Sequence, residues 1–375
     1  TTFNNTGAIT LGDGSGDSTT FTGGLDTTAA TSGTTVAGTV ATDDAAIALG
    51  AVTLDADSTL ASGTGQVTTD TVTDGGNSYT LTLGDENQSG GFALEGDVTL
   101  DTLATVGQLY DVSLTGSASV IDTNTTFNNT GAITLGDGSG DSITFAGGLG
   151  MVERAAGKAT TVHGAVRSAG TAIDIDQLAL AAASEIDATD QGNSSAGGNI
   201  TLSRGLDLSG ETLTTRGGSG ATRLTGVGDL TAGSLDVLSG GLEIGISDTQ
   251  TAGLTVADGD VDLDLAAGAG LEVNAGSTVA TGENTLTMRA DNVALLSGVD
   301  SITGAKVILA PTTTDRAINL GTSAADGLAL DQTEFDALST DTIRIGETGN
   351  ESAITASSLQ IDTSRLNLIA DTALA

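Results

Sequence analysis

A chain of 375 residues with 48 Asp+Glu against 11 Lys+Arg, a net charge of −37 and no cysteine excludes several classes of protein. Nucleic acid and anionic membrane are held by Lys/Arg contacts, so neither is an expected partner. Disulfide-stapled domains, thiolate metal sites and cysteine nucleophiles need a residue this chain lacks, and no run reaches the roughly 18 apolar residues of a membrane span.

The remaining composition points to an all-β chain. Hydrophobic residues make up 38% and aromatics only 2%, with 55 glycines and a single proline, Pro311. Such a mixture suits thin layers of short strands joined by glycine turns, where glycine takes positive φ without a steric penalty.

The first element in chain order is a repeat. Thr1–Leu25 (TTFNNTGAITLGDGSGDSTTFTGGL) returns at Thr125–Leu149, 124 residues later, with only Thr19 against Ile143 and Thr22 against Ala146 differing. Self-similarity at a fixed period marks an architecture of stacked units. Between the copies, short strands are predicted at Ile47–Leu49, Val52–Leu54, Tyr79–Leu83, Phe92–Leu94, Val98–Leu100 and Tyr110–Leu114. Every Lys and Arg lies at or after Arg154. Residues 1–149 are therefore read as an acidic Thr/Gly/Asp-rich repeat region, one repeat plus the start of the next. A β-sandwich repeat is the alternative for this part. A second region, 150–375, follows from a boundary near Gly150.

From about residue 170 the pattern sharpens into apolar-x-apolar triplets: Leu235-Asp-Val237, Leu242-Glu-Ile244, Leu254-Thr-Val256, Val261-Asp-Leu263, Leu271-Glu-Val273, and so on to Leu359-Gln-Ile361 and Leu366-Asn-Leu368. Alternation with period 2 predicts strands with one wet face. The triplets come in close pairs, Leu235 with Leu242 and Leu254 with Val261, and the pair recurs from Leu235 to Leu254 and again at Leu271. This spacing predicts a right-handed parallel β-helix of about 17–20 residues per coil, about 20 coils for the whole chain. One short helix is predicted, at Gln332–Leu338, capped near Asp331.

Few residues invite chemistry. Asp13-Gly-Ser-Gly-Asp17 and Asp137-Gly-Ser-Gly-Asp141 place oxygen ligands at alternate positions of a glycine turn, as in the first half of a calcium loop. Asp13, Asp17, Asp137 and Asp141 are thus the candidate calcium ligands. The competing reading is a turn whose Asp and Ser side chains cap their own backbone. Asp258, Asp260, Asp262 and Asp264 alternate along one stretch, read as a solvated face or as a bridge for cations between packed chains. His163 is the only histidine and has no nucleophile motif near it. No catalytic residue is assigned, and the chain is expected not to be an enzyme. A polysaccharide-degrading β-helix is the least favoured reading, because sugars stack on aromatic rings that are scarce here.

The stretch Val307–Leu359 is similar to a module of giant bacterial exoproteins of the filamentous-haemagglutinin type. The likeness rests on the strand end Leu309–Pro311, R-x-I-x-L-G at Arg316–Gly321, L-x-x-x-E-x-x-x-L at Leu330–Leu338 and I-x-I-G at Ile343–Gly346. The resemblance implies a β-helix, export to the bacterial cell surface, and structural or adhesive duty with no catalytic residues. Self-association, neighbouring segments of the same giant protein, and surface glycans are the partners it suggests. A cation-dependent carbohydrate- or receptor-binding module is the alternative, and a groove exposing Tyr79, Tyr110 or Phe92 would favour it. The chain starts at Thr1 rather than Met and is read as a segment of a longer polypeptide.

Overall fold

The computed structural model describes all residues except 194–195, 248–249, 323–326, 361–364 and 371–375. The predicted strand end at Ile361 lies outside the described residues. The chain is all-β, with about 1% helix, and winds as a parallel β-solenoid of about 15 turns. It divides into two compact units, Thr1–Asp176 and Gln177–Ala375. The composition change near Gly150 falls inside the first unit, on the strand Leu149–Met151.

Each turn carries three strands on three faces. In the first unit, one face stacks Ile9–Leu11 on Thr34–Val36, then on Val52–Leu54. The second stacks Ser18–Phe21 on Thr39–Thr42, and the third Leu25–Asp26 on Ile47–Ala48 and Val67–Thr69. All these pairings are parallel and in register, so like positions stack directly. Inward residues such as Val36, Val52, Leu54, Val67, Leu83 and Leu114 are almost fully buried. Burying an aliphatic side chain contributes roughly 1.5–3 kcal/mol, which is what holds a thin layer of this kind together.

The coil is longer than the sequence spacing suggested: about 23 residues per turn, not 17–20. The step from Leu235 to Leu254 and the step from Leu254 to Leu271 each lead from one face to another. The true returns are wider: Leu235 stacks on Leu263, and Leu263 on Met288. Leu254 belongs to another face, where Gly253–Thr255 stack on Thr278–Ala280. That third face is hard to see in the sequence because Thr278–Ala280 shows only Val279 as a large apolar residue.

The second unit departs from simple stacking once. Ile318–Leu320 pairs with Leu328–Leu330 on one side and with Ile354–Ala356 on the other. Spatial order therefore differs from chain order, and the turn from Ile302 to its stacked partner Leu338 holds one strand more than an ordinary turn. The one helix, Gln332–Asp336, follows at once and confirms the predicted position. Asp331 Oδ1 accepts the Glu334 N–H (3.0 Å), and Glu334 Oε2 accepts the Asp331 N–H (2.9 Å), a complete capping box.

Candidate functional site

The two repeat copies fold alike but on different faces. The face that begins at Ile9–Leu11 is revisited at Thr34, Val52, Val72, Val98, Ala118 and Ser142. The equivalent strand of the second copy, Ile133–Leu135, lies between the fifth and sixth of these returns, stacked on Val112–Leu114 of the third face. The copies are thus offset by five turns and two faces. The repeated segment encodes a strand–corner–strand unit that fits any face. Its main difference between copies points inward: Ile143 is 1% exposed, while Thr19 in the first turn is half-buried.

Both copies close the corner in the same way. Asp17 Oδ2 accepts the N–H of Asp13 (2.7 Å) and of Gly14 (3.1 Å). Asp141 Oδ2 accepts the N–H of Asp137 (2.8 Å) and of Gly138 (2.7 Å). The Asp13 amide, more than any other group, holds the Asp17 carboxyl below its ordinary range. Glycine is required before each corner. Gly12 (φ +82) and Gly136 (φ +79) lie so near the next turn that a Cβ would sit 2.1 Å from Ala37 O and 2.5 Å from His163 O. The structure thus brings Asp13 to Asp17 and Asp137 to Asp141, as a self-capped turn. Among the described residues, no group of three or more His, Cys, Asp or Glu converges as a metal site.

The Asp258–Asp264 series splits between two roles. Asp262 and Asp264 stand on the outer side of Val261–Leu265, while Asp258 (φ 56) lies in the preceding turn and Asp260 accepts the Thr285 N–H (2.7 Å). Arg289 reaches Asp264 at 2.7 Å, Asp262 at 3.7 Å and Glu347 at 2.9 Å. An arginine of the same chain thus neutralises part of this acidic series. Its guanidinium is held well above its usual range, chiefly by Glu347.

Two of the three aromatic residues considered for a glycan groove are core. Tyr110 and Phe92 are each 2% exposed and pack with ring centroids 5.4 Å apart. Tyr110 Oη donates to Leu83 O (2.7 Å), and burial pushes its hydroxyl up to about 12. Only Tyr79 is partly accessible. A groove of about 390 Å³ does exist in the second unit, floored by Gly240, Gly241 and Gly270 beside Glu243 and Glu272. Arg223 already pairs with Glu243 (2.7 Å).

Sequence reasoning missed two features. Arg154, the first base of the chain, is 1% exposed and donates to the carbonyls of Phe127 (3.1 Å), Gly131 (3.2 Å) and Val152 (2.9 Å). Nothing in its neighbours marks it as buried. The second is a column of outward threonines. In-register pairing aligns Thr10 with Thr35, Thr35 with Thr53, Thr53 with Thr73 and Thr73 with Thr99, one per turn over five turns. Val120 and Thr144 continue the column. The signal was present as the middle residue of each triplet, but the wrong coil length hid the alignment.

No family model matches the chain, and no curated protein or solved structure matches it. The likeness to filamentous-haemagglutinin-type exoproteins therefore stands on the sequence alone, on Val307–Leu359 and on the Thr/Gly/Asp-rich repeats at Thr1 and Thr125.

Proposed function

We infer that the chain is a structural and adhesive segment of an extracellular β-solenoid at a bacterial cell surface. One observation carries this reading: parallel strands stack in register turn after turn, so that each face of the ladder repeats along the axis. A scaffold needs such uniformity, whereas catalysis needs a few groups held around a reacting atom. The reading assigns no catalytic residue.

The test is functional. Cells displaying the chain should adhere to a substratum or to one another more strongly than cells without it, and light scattering should show association of the purified chain. A monodisperse protein that leaves adhesion unaltered overturns the reading.

A further inference from the structure

We propose that the threonine column Thr10–Thr35–Thr53–Thr73–Thr99 is a binding face for an uncharged periodic lattice, namely the ordered water of an ice surface. This deepens the adhesive reading by naming what one face would hold. Parallel in-register stacking repeats the same hydroxyl and methyl every ~4.8 Å along the axis. A row with that translational repeat complements a partner that is itself a lattice of similar repeat, and hexagonal ice presents oxygen rows of this kind.

Four features of this column favour such a partner. First, the groups are available. Thr10, Thr53 and Thr99 are exposed and Thr35 and Thr73 half-buried. Only the Thr73 hydroxyl is engaged within the protein, where it accepts the Gly75 N–H (3.0 Å). Secondly, they are pre-ordered. A β-branched side chain on a strand has few χ1 choices, so little entropy is lost when its hydroxyl is fixed against a solid. Thirdly, most neighbours are small and uncharged: the positions two residues before the first four threonines are Ala8, Gly33, Ala51 and Thr71, with Asp55 beside Thr53 and Asp97 and Asp101 beside Thr99 as the charged exceptions.

Fourthly, the charge of the chain argues against the other occupants. No Lys or Arg precedes Arg154, so a second copy of this acidic region offers the column no charge complement. A cationic partner would be drawn to the Asp-bearing corners rather than to a neutral column. Crystalline polysaccharide is normally gripped by aromatic stacking, and no aromatic residue stands in the column. Other outward columns of the unit are less regular: the third face runs Asp26, Ala48, Thr68, Ala93, Ser113.

The experiment uses the full chain, with crystal habit and thermal hysteresis of ice as the readout. The chain should shape growing crystals and adsorb to a single ice crystal. Thr35→Lys with Thr53→Lys should abolish both effects, while Thr68→Lys on the third face should leave them intact. Matching circular dichroism and melting curves would show that the double variant folds, and Thr53→Val, which keeps the shape and removes the hydroxyl, gives a second readout that does not depend on an added charge. Ice growth indifferent to the chain overturns the proposal, as does hysteresis retained in the double variant. Co-sedimentation with crystalline cellulose or chitin without ice shaping overturns it too. If the chain still self-associates and promotes adhesion, ice indifference removes the column assignment and leaves the scaffold reading in place.

Discussion

The two units share one kind of interior and finish their exteriors differently. In Thr1–Asp176 the corners are closed by carboxylates that cap their own turn, as Asp17 and Asp141 do. In Gln177–Ala375, arginines tie successive turns together across the faces: Arg289 to Asp264 and Glu347, Arg223 to Glu243, and Arg216 to Glu185. No base precedes Arg154, so carboxylates such as Asp17 turn inward on local N–H groups, while Asp111 is reached by Lys158 from further along the unit (2.9 Å). Where arginine is available, the same carboxylates can stay on the outer face and link turns. The interior is indifferent to this choice, because in both units it is a ladder of stacked Val, Leu and Ile.

That comparison can be broken at several strengths. Leu114→Ala in the first unit and Leu263→Ala in the second should each cost about 2–5 kcal/mol, since both side chains are fully buried and each leaves a cavity. Chemical denaturation should show equal penalties; a cost confined to one unit would mean that the interiors differ after all. Arg154→Met should follow at about 3 kcal/mol, because it strips a buried guanidinium from the carbonyls of Gly131, Val152 and Phe127, of which Phe127 keeps the Val152 N–H.

Arg289→Met should cost the second unit only about 1 kcal/mol, as its partners are partly exposed, and the loss should shrink in high salt. Salt-independent melting of the native chain would contradict the role given to these pairs. Calcium should add no thermal shift, because each capping oxygen, Asp17 Oδ2 and Asp141 Oδ2, already accepts two N–H groups. A shift at millimolar calcium that disappears in Asp17→Asn with Asp141→Asn would restore the corners as ion sites.

Acid should separate the two exteriors most finely. The carboxyls of Asp17 and Asp26 lie below the unfolded value of 3.8, lowered chiefly by the Asp13 amide and the Thr28 hydroxyl respectively. Their contribution is present above that value and is lost as pH falls through the folded one. Glu334 behaves oppositely: burial raises it above 4.5, so its contribution is present below 4.5 and is lost as pH rises through the folded value. Hydrogen-exchange protection, corrected for intrinsic rates, should fall at the Gly12–Asp17 corner on acidification and rise at Gln332–Asp336. Glu334→Gln should remove the second trend.

Much of the fold was legible because a half-buried strand must alternate. Nearly every apolar-x-apolar triplet is a strand, and the helix at Gln332 was marked by Asp331 and Glu334. The coil length was not legible, because triplets on different faces look alike and a face such as Thr278–Ala280 carries only Val279 as a large apolar residue. The columns on the outer surface depend on knowing which residue returns over which, so the threonine row could not be seen before the third face was counted. Buried Arg154 left no trace, since the carbonyls of Phe127, Gly131 and Val152 to which it donates are backbone groups, which every sequence contains.

Paired cysteine substitution tests the three-faced, in-register ladder most directly, in a chain with no native cysteine. Glu243→Cys with Glu272→Cys places two thiols on stacked positions of adjacent turns, within the ~4.4–6.8 Å between Cα atoms that a disulfide needs. Thr73→Cys with Thr99→Cys does the same in the first unit. Both pairs should oxidise readily within one chain. Asp236→Cys with Thr255→Cys should not, because these positions match in the shorter coil but stand on different faces of the ladder. Cross-linking of the Asp236/Thr255 pair in place of the other two would contradict the ladder and restore the shorter coil.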